Sequence, residues 1–143
     1  MDSITIISYE SVGPIRFKDT TEDVVLSCGT PNTTTAARNG DFIHHYNWGL
    51  VRFSHEKGTV QEITLFSNTK PVIHGIDLFN DREALQKITK LEKNLYEFVG
   101  FLFLLDLGIS LSGFHKEESE RVVAAFSKGA ADHLKPKFAR YEL

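Results

Sequence analysis

The histidines and the single cysteine are the residues of this chain best suited to metal binding or nucleophilic chemistry. His44 and His45 are adjacent in the segment Phe42 to Trp48, whose pattern is typical of a strand. Successive side chains of a strand point to opposite faces, so we do not expect these two imidazoles to hold one ion. Cys28 precedes Gly29 at the predicted end of a helix, whereas a reactive thiolate is favoured at a helix N-terminus or beside a basic group. The sequence therefore predicts neither a metal site nor a cysteine nucleophile.

The other polar motifs do not indicate catalysis. His55 and His115 occupy equivalent turns and are interpreted as surface residues, while Glu117 and Glu118 are interpreted as part of a solvated loop. The sequence has no nucleophile elbow, Walker loop, dinucleotide fingerprint or His-Glu-x-x-His motif. We therefore predict a protein that is not an enzyme and needs no cofactor.

One predicted strand offers side chains suited to binding a partner protein. Its two faces would carry Phe42, His44, Tyr46 and Trp48 on one side and Asp41, Ile43, His45 and Asn47 on the other. Aromatic side chains on an open sheet face are favoured anchors, although the same side chains could equally form the core. Acidic residues beside strands and loops would complement a basic partner. The predicted partner-binding residues are Asp41, His44, Tyr46, Trp48, Glu62, Glu97, Asp106, Glu117, Glu118 and Glu120.

A capped helix precedes the strands in each half of the chain. Asp19-Thr20-Thr21-Glu22 has the sequence of a capping box that starts at Asp19, and it predicts a helix through Cys28 that ends at Gly29. Asn80-Asp81-Arg82-Glu83 repeats this device. The second helix would bury Leu85, Ile88, Leu91 and Leu95 and expose Lys87, Lys90 and Lys93.

After each predicted helix, the spacing of the apolar residues changes from a helical period to the period of two that is typical of strands. The predicted strands are Phe42 to Trp48, Leu50 to Ser54 and Val60 to Phe66 in the first half, then Tyr96 to Leu105, Ile109 to Gly113 and Arg121 to Phe126 in the second. Thr30 to Gly40 is predicted to be a polar, mobile loop. The predicted fold class is α+β, with antiparallel sheets and helices on one face.

The two halves also resemble each other in sequence. Residues 13–67 recur in degenerate form as 75–127, with Phe66 and Ser67 matching Phe126 and Ser127 at a shift of 60. Two copies of about 60 residues are expected to share one core, because each alone is near the lower limit for independent burial. We therefore predict one domain, residues 1–143, built from two tandem helix-plus-three-strand repeats and a C-terminal tail from about 135.

Composition narrows the classes of partner and the compartment. The chain of 143 residues has a net charge of −3 and no run of Lys or Arg, which argues against nucleic-acid binding. A single cysteine fits a reducing compartment. The longest apolar stretch, Phe98 to Leu105, is far shorter than the roughly 18 residues of a membrane helix, and the N-terminus lacks the pattern of a signal peptide. We expect a cytoplasmic protein, monomeric or weakly dimeric, that binds neither membrane nor nucleic acid.

A resemblance to known families rests on three features of the sequence. They are the motif Gly13-Pro14-Ile15-Arg16-Phe17, the capped helix before Pro31 and the repeated strand meander. This unit resembles small bacterial proteins of the SmpA/OmlA kind, and two units in tandem are similar to the architecture of the β-lactamase inhibitor protein. The disulfides of that secreted inhibitor have no counterpart here. The form is also similar to immunity proteins that neutralise polymorphic or contact-dependent growth inhibition toxins.

The resemblance implies a non-enzymatic inhibitor: a cytoplasmic immunity protein that occludes a cognate bacterial toxin, with a nuclease as the first expectation. An alternative is a small-molecule-binding or enzymatic α+β domain with a pocket near His44, Tyr46 and His74. A third is a self-associating module with an exposed edge strand.

Overall fold

Two sheets and two short α-helices make up the fold in the computed structural model, which describes residues 2–114 and 120–141. The strands are β1 (Ile4–Ile7), β2 (Ser11–Val12), β3 (Ile15–Arg16), β4 (Thr33–Ala36), β5 (Phe42–Tyr46), β6 (Gly49–Phe53), β7 (Val60–Leu65), β8 (Pro71–Ile73), β9 (Ile76–Asp77), β10 (Leu95–Phe98), β11 (Phe101–Leu104), β12 (Ile109–Ser112), β13 (Val122–Phe126) and β14 (Ala139–Arg140). The helices are α1 (Thr21–Cys28), α2 (Ala84–Leu91) and a 3-10 helix (Asp132–Lys137).

The larger sheet is antiparallel throughout, with the strand order β14-β10-β11-β12-β13-β7-β6-β5-β4. The smaller sheet has the order β3-β2-β1-β8-β9 and contains one parallel pair, β1 with β8. The predicted α+β class with antiparallel sheets is confirmed.

One face of the larger sheet packs on the helices and the smaller sheet. Val51, Ile63 and Ile109 are fully buried. Along β6 and β7, Val51 and Ile63 alternate with partly exposed residues, as period-2 patterning requires. The three buried residues share one core with Val24 of α1 and Ile88 of α2. Burial of each such side chain contributes about 1.5–3 kcal/mol, so this face sets the register of the sheet. The opposite face is hereafter called the outer face.

The two halves have the same order of elements. β3, α1 and β4 to β7 form the first half, and β9, α2 and β10 to β13 form the second. The halves meet where β7 pairs with β13: Thr64 lies opposite Ala124, and the pairs Ile63–Ala125 and Leu65–Val123 flank it. The strand pairing is therefore symmetric about this point. The duplication itself stays a prediction.

The apolar run of the second half is a hairpin, so the prediction of a single strand from Tyr96 to Leu105 is wrong. β10 ends at Phe98 and β11 begins at Phe101. Val99 and Gly100 form the turn, with φ angles of 50° and 80°. A valine at positive φ gives no sequence signal for a turn, because that conformation is strained for a β-branched residue. Among the described residues of the second half, four strands, β10 to β13, therefore follow α2 where three were predicted.

The predicted mobile loop from Thr30 to Gly40 contains β4, which pairs with β5 at the edge of the larger sheet. Its threonines are β-branched and suit a strand, although all four residues of β4 are exposed. The C-terminal tail is ordered in a similar way: the 3-10 helix covers part of the outer face, and β14 pairs with β10.

The predicted helix starts are each displaced. Thr20, not Asp19, caps α1, and the capping box is completed by Asp23. The side chain of Asp19 instead accepts a hydrogen bond from the backbone N–H of Arg16. α2 begins only at Ala84, without a side-chain cap. Along the part of the chain that the structure describes, no helix has the length and apolar character needed to cross a membrane.

The buried face of α2 differs from the predicted one. Ile88 is fully buried, whereas Leu91 is 50% exposed. Leu95 is buried but belongs to β10. The short helix ends at Leu91, whose side chain is half exposed, whereas Ile88 in the same turn packs in the core.

Candidate functional site

Two residues of the predicted aromatic surface, His44 and Tyr46, face the core. His44 and Tyr46 are each 7% exposed, and the His44 ring contacts Phe53 at 4.7 Å between centroids. The Tyr46 hydroxyl donates a hydrogen bond of 2.8 Å to the backbone carbonyl of Gly29 at the end of α1. Burial lowers the pKa of His44, so its ring is neutral. The predicted exposure of His44 and Tyr46 on an open sheet face is wrong, because β5 turns both side chains toward the core.

Two other members of the predicted aromatic face reach the surface: Phe42, which is 53% exposed, and Trp48. Trp48 lies just after β5. Its half-buried ring stacks on Tyr46 at 4.9 Å and lines an apolar cavity of about 260 Å³ together with Cys28. Burial raises the pKa of the Cys28 thiol, which keeps the thiol protonated and weakly nucleophilic.

Asp41 is also buried, at 1% exposure, and holds a charged network together. Arg52 Nε donates to one carboxylate oxygen at 2.8 Å, and the ring and backbone N–H of His55 contact the other. Burial alone would raise the pKa of Asp41, but the bonds from His55, Arg52 and Asn39 hold it well below its usual range. The Asp41 side chain is therefore not on the accessible surface, and His55 has a structural role that was not predicted from the sequence.

Glu92 is a second buried carboxylate that sequence reasoning missed. It lies just after α2 and accepts hydrogen bonds of 2.9–3.1 Å from the backbone N–H groups of Asn94, Asp106 and Leu107. Burial raises its pKa, and the backbone donors counter part of that effect. Three amides converging on one side chain fix the turn between β11 and β12.

Glu62 lies on the outer face, in a cleft between the sheet and the C-terminal segment. It stands directly opposite Arg52 of β6 on one side and Phe126 of β13 on the other. The cleft has a volume of about 360 Å³. It is lined by Asn39, Arg52, Gln61, Glu62, Phe103, Phe126, Ala130, Ala131, His133 and Leu134. These residues are hereafter called the Glu62 cleft.

The Glu62 carboxylate has no partner of its own among residues 2–114 and 120–141. Neither a hydrogen bond nor an ion pair is formed by this side chain within that part of the chain. Burial raises the pKa of Glu62, and the nearby Arg52 and His133 offset this only in part. The cleft thus contains a half-buried acid with spare hydrogen-bonding capacity.

The remaining predicted acids are not grouped. Glu97 lies on β10, Asp106 in the turn after β11 and Glu120 before β13, and all three are exposed. Asp106 accepts a hydrogen bond of 2.7 Å from the Asn94 side chain and lines a separate cavity of about 420 Å³. The predictions for His115, Glu117 and Glu118 lie outside the described residues.

His44, Tyr46 and His74, the residues predicted to lie near an alternative pocket, do not share one environment. His44 and Tyr46 are in the core, and His74 is an exposed turn residue between β8 and β9, with a φ of 49°. In the described residues, no cluster of three or more His, Cys, Asp or Glu side chains is placed to hold a metal ion.

The turn between β10 and β11 presents apolar side chains to solvent. Val99 is 75% exposed and Phe101 is 41% exposed, and Val99 adopts a positive φ of 50°. Glu97 precedes them on β10 and is exposed as well. Val99 and Phe101 are hereafter called the apolar tip.

Comparisons with models of protein families, with curated proteins and with solved structures find no match to this chain.

Proposed function

We propose that this chain is a non-enzymatic inhibitor, a cytoplasmic immunity protein that binds and neutralises a cognate bacterial toxin, and that the apolar tip is part of its binding surface. The toxin class follows from the resemblance described above. The observation that supports protein binding is the conformation and exposure of Val99.

Valine at this position costs stability and contributes little to the core. A left-handed conformation costs a β-branched residue about 1–2 kcal/mol, whereas Asn or Gly adopts it more readily. Val99 is 75% exposed, so burial within the chain does not offset this cost. Strained residues of this kind are maintained where they serve contacts beyond the fold.

The surroundings of the tip suit a protein partner. Phe101 adds a large, rigid apolar surface next to Val99, and such side chains dominate the free energy of many interfaces. Glu97 lies two residues before Val99, and the chain carries a net charge of −3. These charges favour encounter with a basic surface and raise the association rate more than the affinity.

The test is binding to the product of the neighbouring upstream gene, measured by co-expression, pull-down and surface plasmon resonance. We expect Val99→Asn to weaken this binding by about tenfold or more, because it removes an anchor. The same change should leave the melting temperature unchanged or higher, because it relieves strain. A merely structural role for Val99 would lower stability and affinity together.

Leu26 supplies the matched control, since it is 86% exposed on α1 and does not belong to the tip. We expect Leu26→Gln to leave the affinity unchanged. A Val99→Asn variant with wild-type affinity, or a neighbouring product that does not bind the wild-type chain, would contradict the proposal.

A further inference from the structure

The Glu62 cleft carries a negative charge that its own lining offsets only in part. Arg52 lines the cleft and forms an ion pair with Asp41. Because Asp41 neutralises Arg52, the Glu62 carboxylate is left without an ion-pair partner in the described lining. An isolated carboxylate in a half-buried position is costly unless it is paired or protonated.

The geometry keeps Arg52 away from Glu62 although the two residues are cross-strand neighbours. Arg52 Nε donates to Asp41 at 2.8 Å, and Nη2 donates to the Asn39 side chain at 3.3 Å. The guanidinium is thereby held on the side of β5. On its other side Glu62 faces Phe126, which cannot form an ion pair.

A β-bulge shapes the cleft beside Glu62. Arg52 pairs with Glu62 and Phe53 pairs with Val60, so Gln61 is the additional residue on β7. Consecutive residues of a regular strand face opposite sides, yet Gln61 and Glu62 both line the cleft. Bulges re-aim side chains in this way and are frequent at binding sites.

We propose that the Glu62 cleft binds an organic cation, a primary ammonium or guanidinium group, carried either by a small molecule or by a Lys or Arg side chain of another protein. The Glu62 carboxylate forms the ion pair. The Gln61 side chain offers a neutral acceptor, and the rings of Phe103 and Phe126 pack on the aliphatic part or the cation. This inference is independent of the apolar tip.

The probes are n-butylammonium and n-butylguanidinium, titrated into the full-length protein and followed by two-dimensional amide NMR. We expect saturable shifts of amide signals from β7 and β13. The neutral probe n-butanol tests charge: the cations should bind at least about tenfold more tightly. Equal binding of butanol, or no saturable shift with either cation, would overturn the proposal.

Glu62→Gln is the decisive variant because it keeps the shape and removes the charge. We expect it to weaken cation binding at least about tenfold, whereas Glu120→Gln, at an exposed acid outside the cleft, should not. Amide spectra of both variants check the fold. If Glu62→Gln binds the cations as the wild type does, the ion pair is refuted. The butanol comparison needs no variant and holds even if Glu62→Gln does not fold.

The two sources of the cation are separated by blocked amino acids. N-acetyl-lysine amide and N-acetyl-arginine amide carry the same charged groups on a peptide backbone. Tighter binding of these than of the alkyl cations supports a protein side chain as the natural occupant, and the reverse order supports a small molecule. Binding of neither the alkyl nor the blocked cations refutes the site.

Discussion

The Asp41 carboxylate is buried and bonded to two basic side chains, so we expect local stability to depend on its charge. We expect Asp41→Asn to lower the free energy of unfolding by about 3 kcal/mol, because it leaves Arg52 without its buried counter-charge and weakens the His55 contact. Urea denaturation at pH 7 measures this change. Asp132→Asn is the control: its ion pair with Lys135 is exposed, so the change should stay within about 0.5 kcal/mol.

The same carboxylate predicts a pH dependence. Its pKa is depressed in the folded state, so the unfolded chain takes up the proton first as the pH falls below about 3.9. The contribution of Asp41 is fully present above that pH and is lost progressively below it. We expect the difference in unfolding free energy between wild type and Asp41→Asn to shrink from pH 5 to pH 2.5. A difference that is constant over this range would contradict the assignment.

At the residue scale, the sequence grouped side chains correctly but could not tell which face was buried. His44 and Tyr46 do share one side of β5, as the period of two predicts. Which side meets the helices is set by the sheet as a whole, and no local pattern carries that information. Nor could the burial of Asp41 be predicted from the sequence, because its partner His55 is brought close only by the β5–β6 hairpin.

At the element scale, α2 offers a direct test of its orientation. We expect Ile88→Ala to cost about 2–5 kcal/mol, since Ile88 is fully buried, and Leu91→Ala to cost less than about 1 kcal/mol, since Leu91 is half exposed. Thermal and urea unfolding measure both. Lys90→Ala, on the exposed side, serves as the reference for helix propensity. Equal losses at 88 and 91 would mean that the helix is rotated or longer than eight residues.

Elements that end at a residue with a clear backbone preference were easier to predict than elements that do not. Gly29 ended α1 as expected, because its φ of 87° suits glycine. The β10–β11 hairpin was missed because Val99 occupies a turn position that Asn or Gly usually takes. β4 was missed because three consecutive threonines read as a polar loop, although only pairing with β5 makes them a strand.

At the scale of the whole molecule, each half supplies strands that pair with strands of the other half. β7 pairs with β13, and β1 pairs with β8, so separation at residues 68–69 would break both pairings. We expect fragments 1–68 and 69–143 to show no cooperative thermal transition alone and to regain one when mixed, because each is near the size limit for independent burial. Circular dichroism and calorimetry measure this.

Two further results bear on the fragments. A mixture that elutes as one species of the full mass would support complementation. If either fragment melted cooperatively at the midpoint of the intact chain, the view of one shared core would fail.

The fold class and the helix-then-strands order could be predicted from the sequence because they depend on local patterns. The joining of β7 to β13 could not, since it pairs segments far apart in the chain.

The pairing scheme has a consequence for how fast the chain acquires its structure. Among the strands described in the larger sheet, all pairings join sequence neighbours except β7–β13 and β10–β14. Hairpins between neighbours form in about 1–10 μs, whereas distant segments must first lose the entropy of the intervening loop. Hairpins within β4 to β7 and within β10 to β13 can therefore form before the two sets of strands pair with each other. We expect the slow step to be the pairing of β7 with β13. Until these strands pair, both are open edges that can recruit a strand from a second nascent chain.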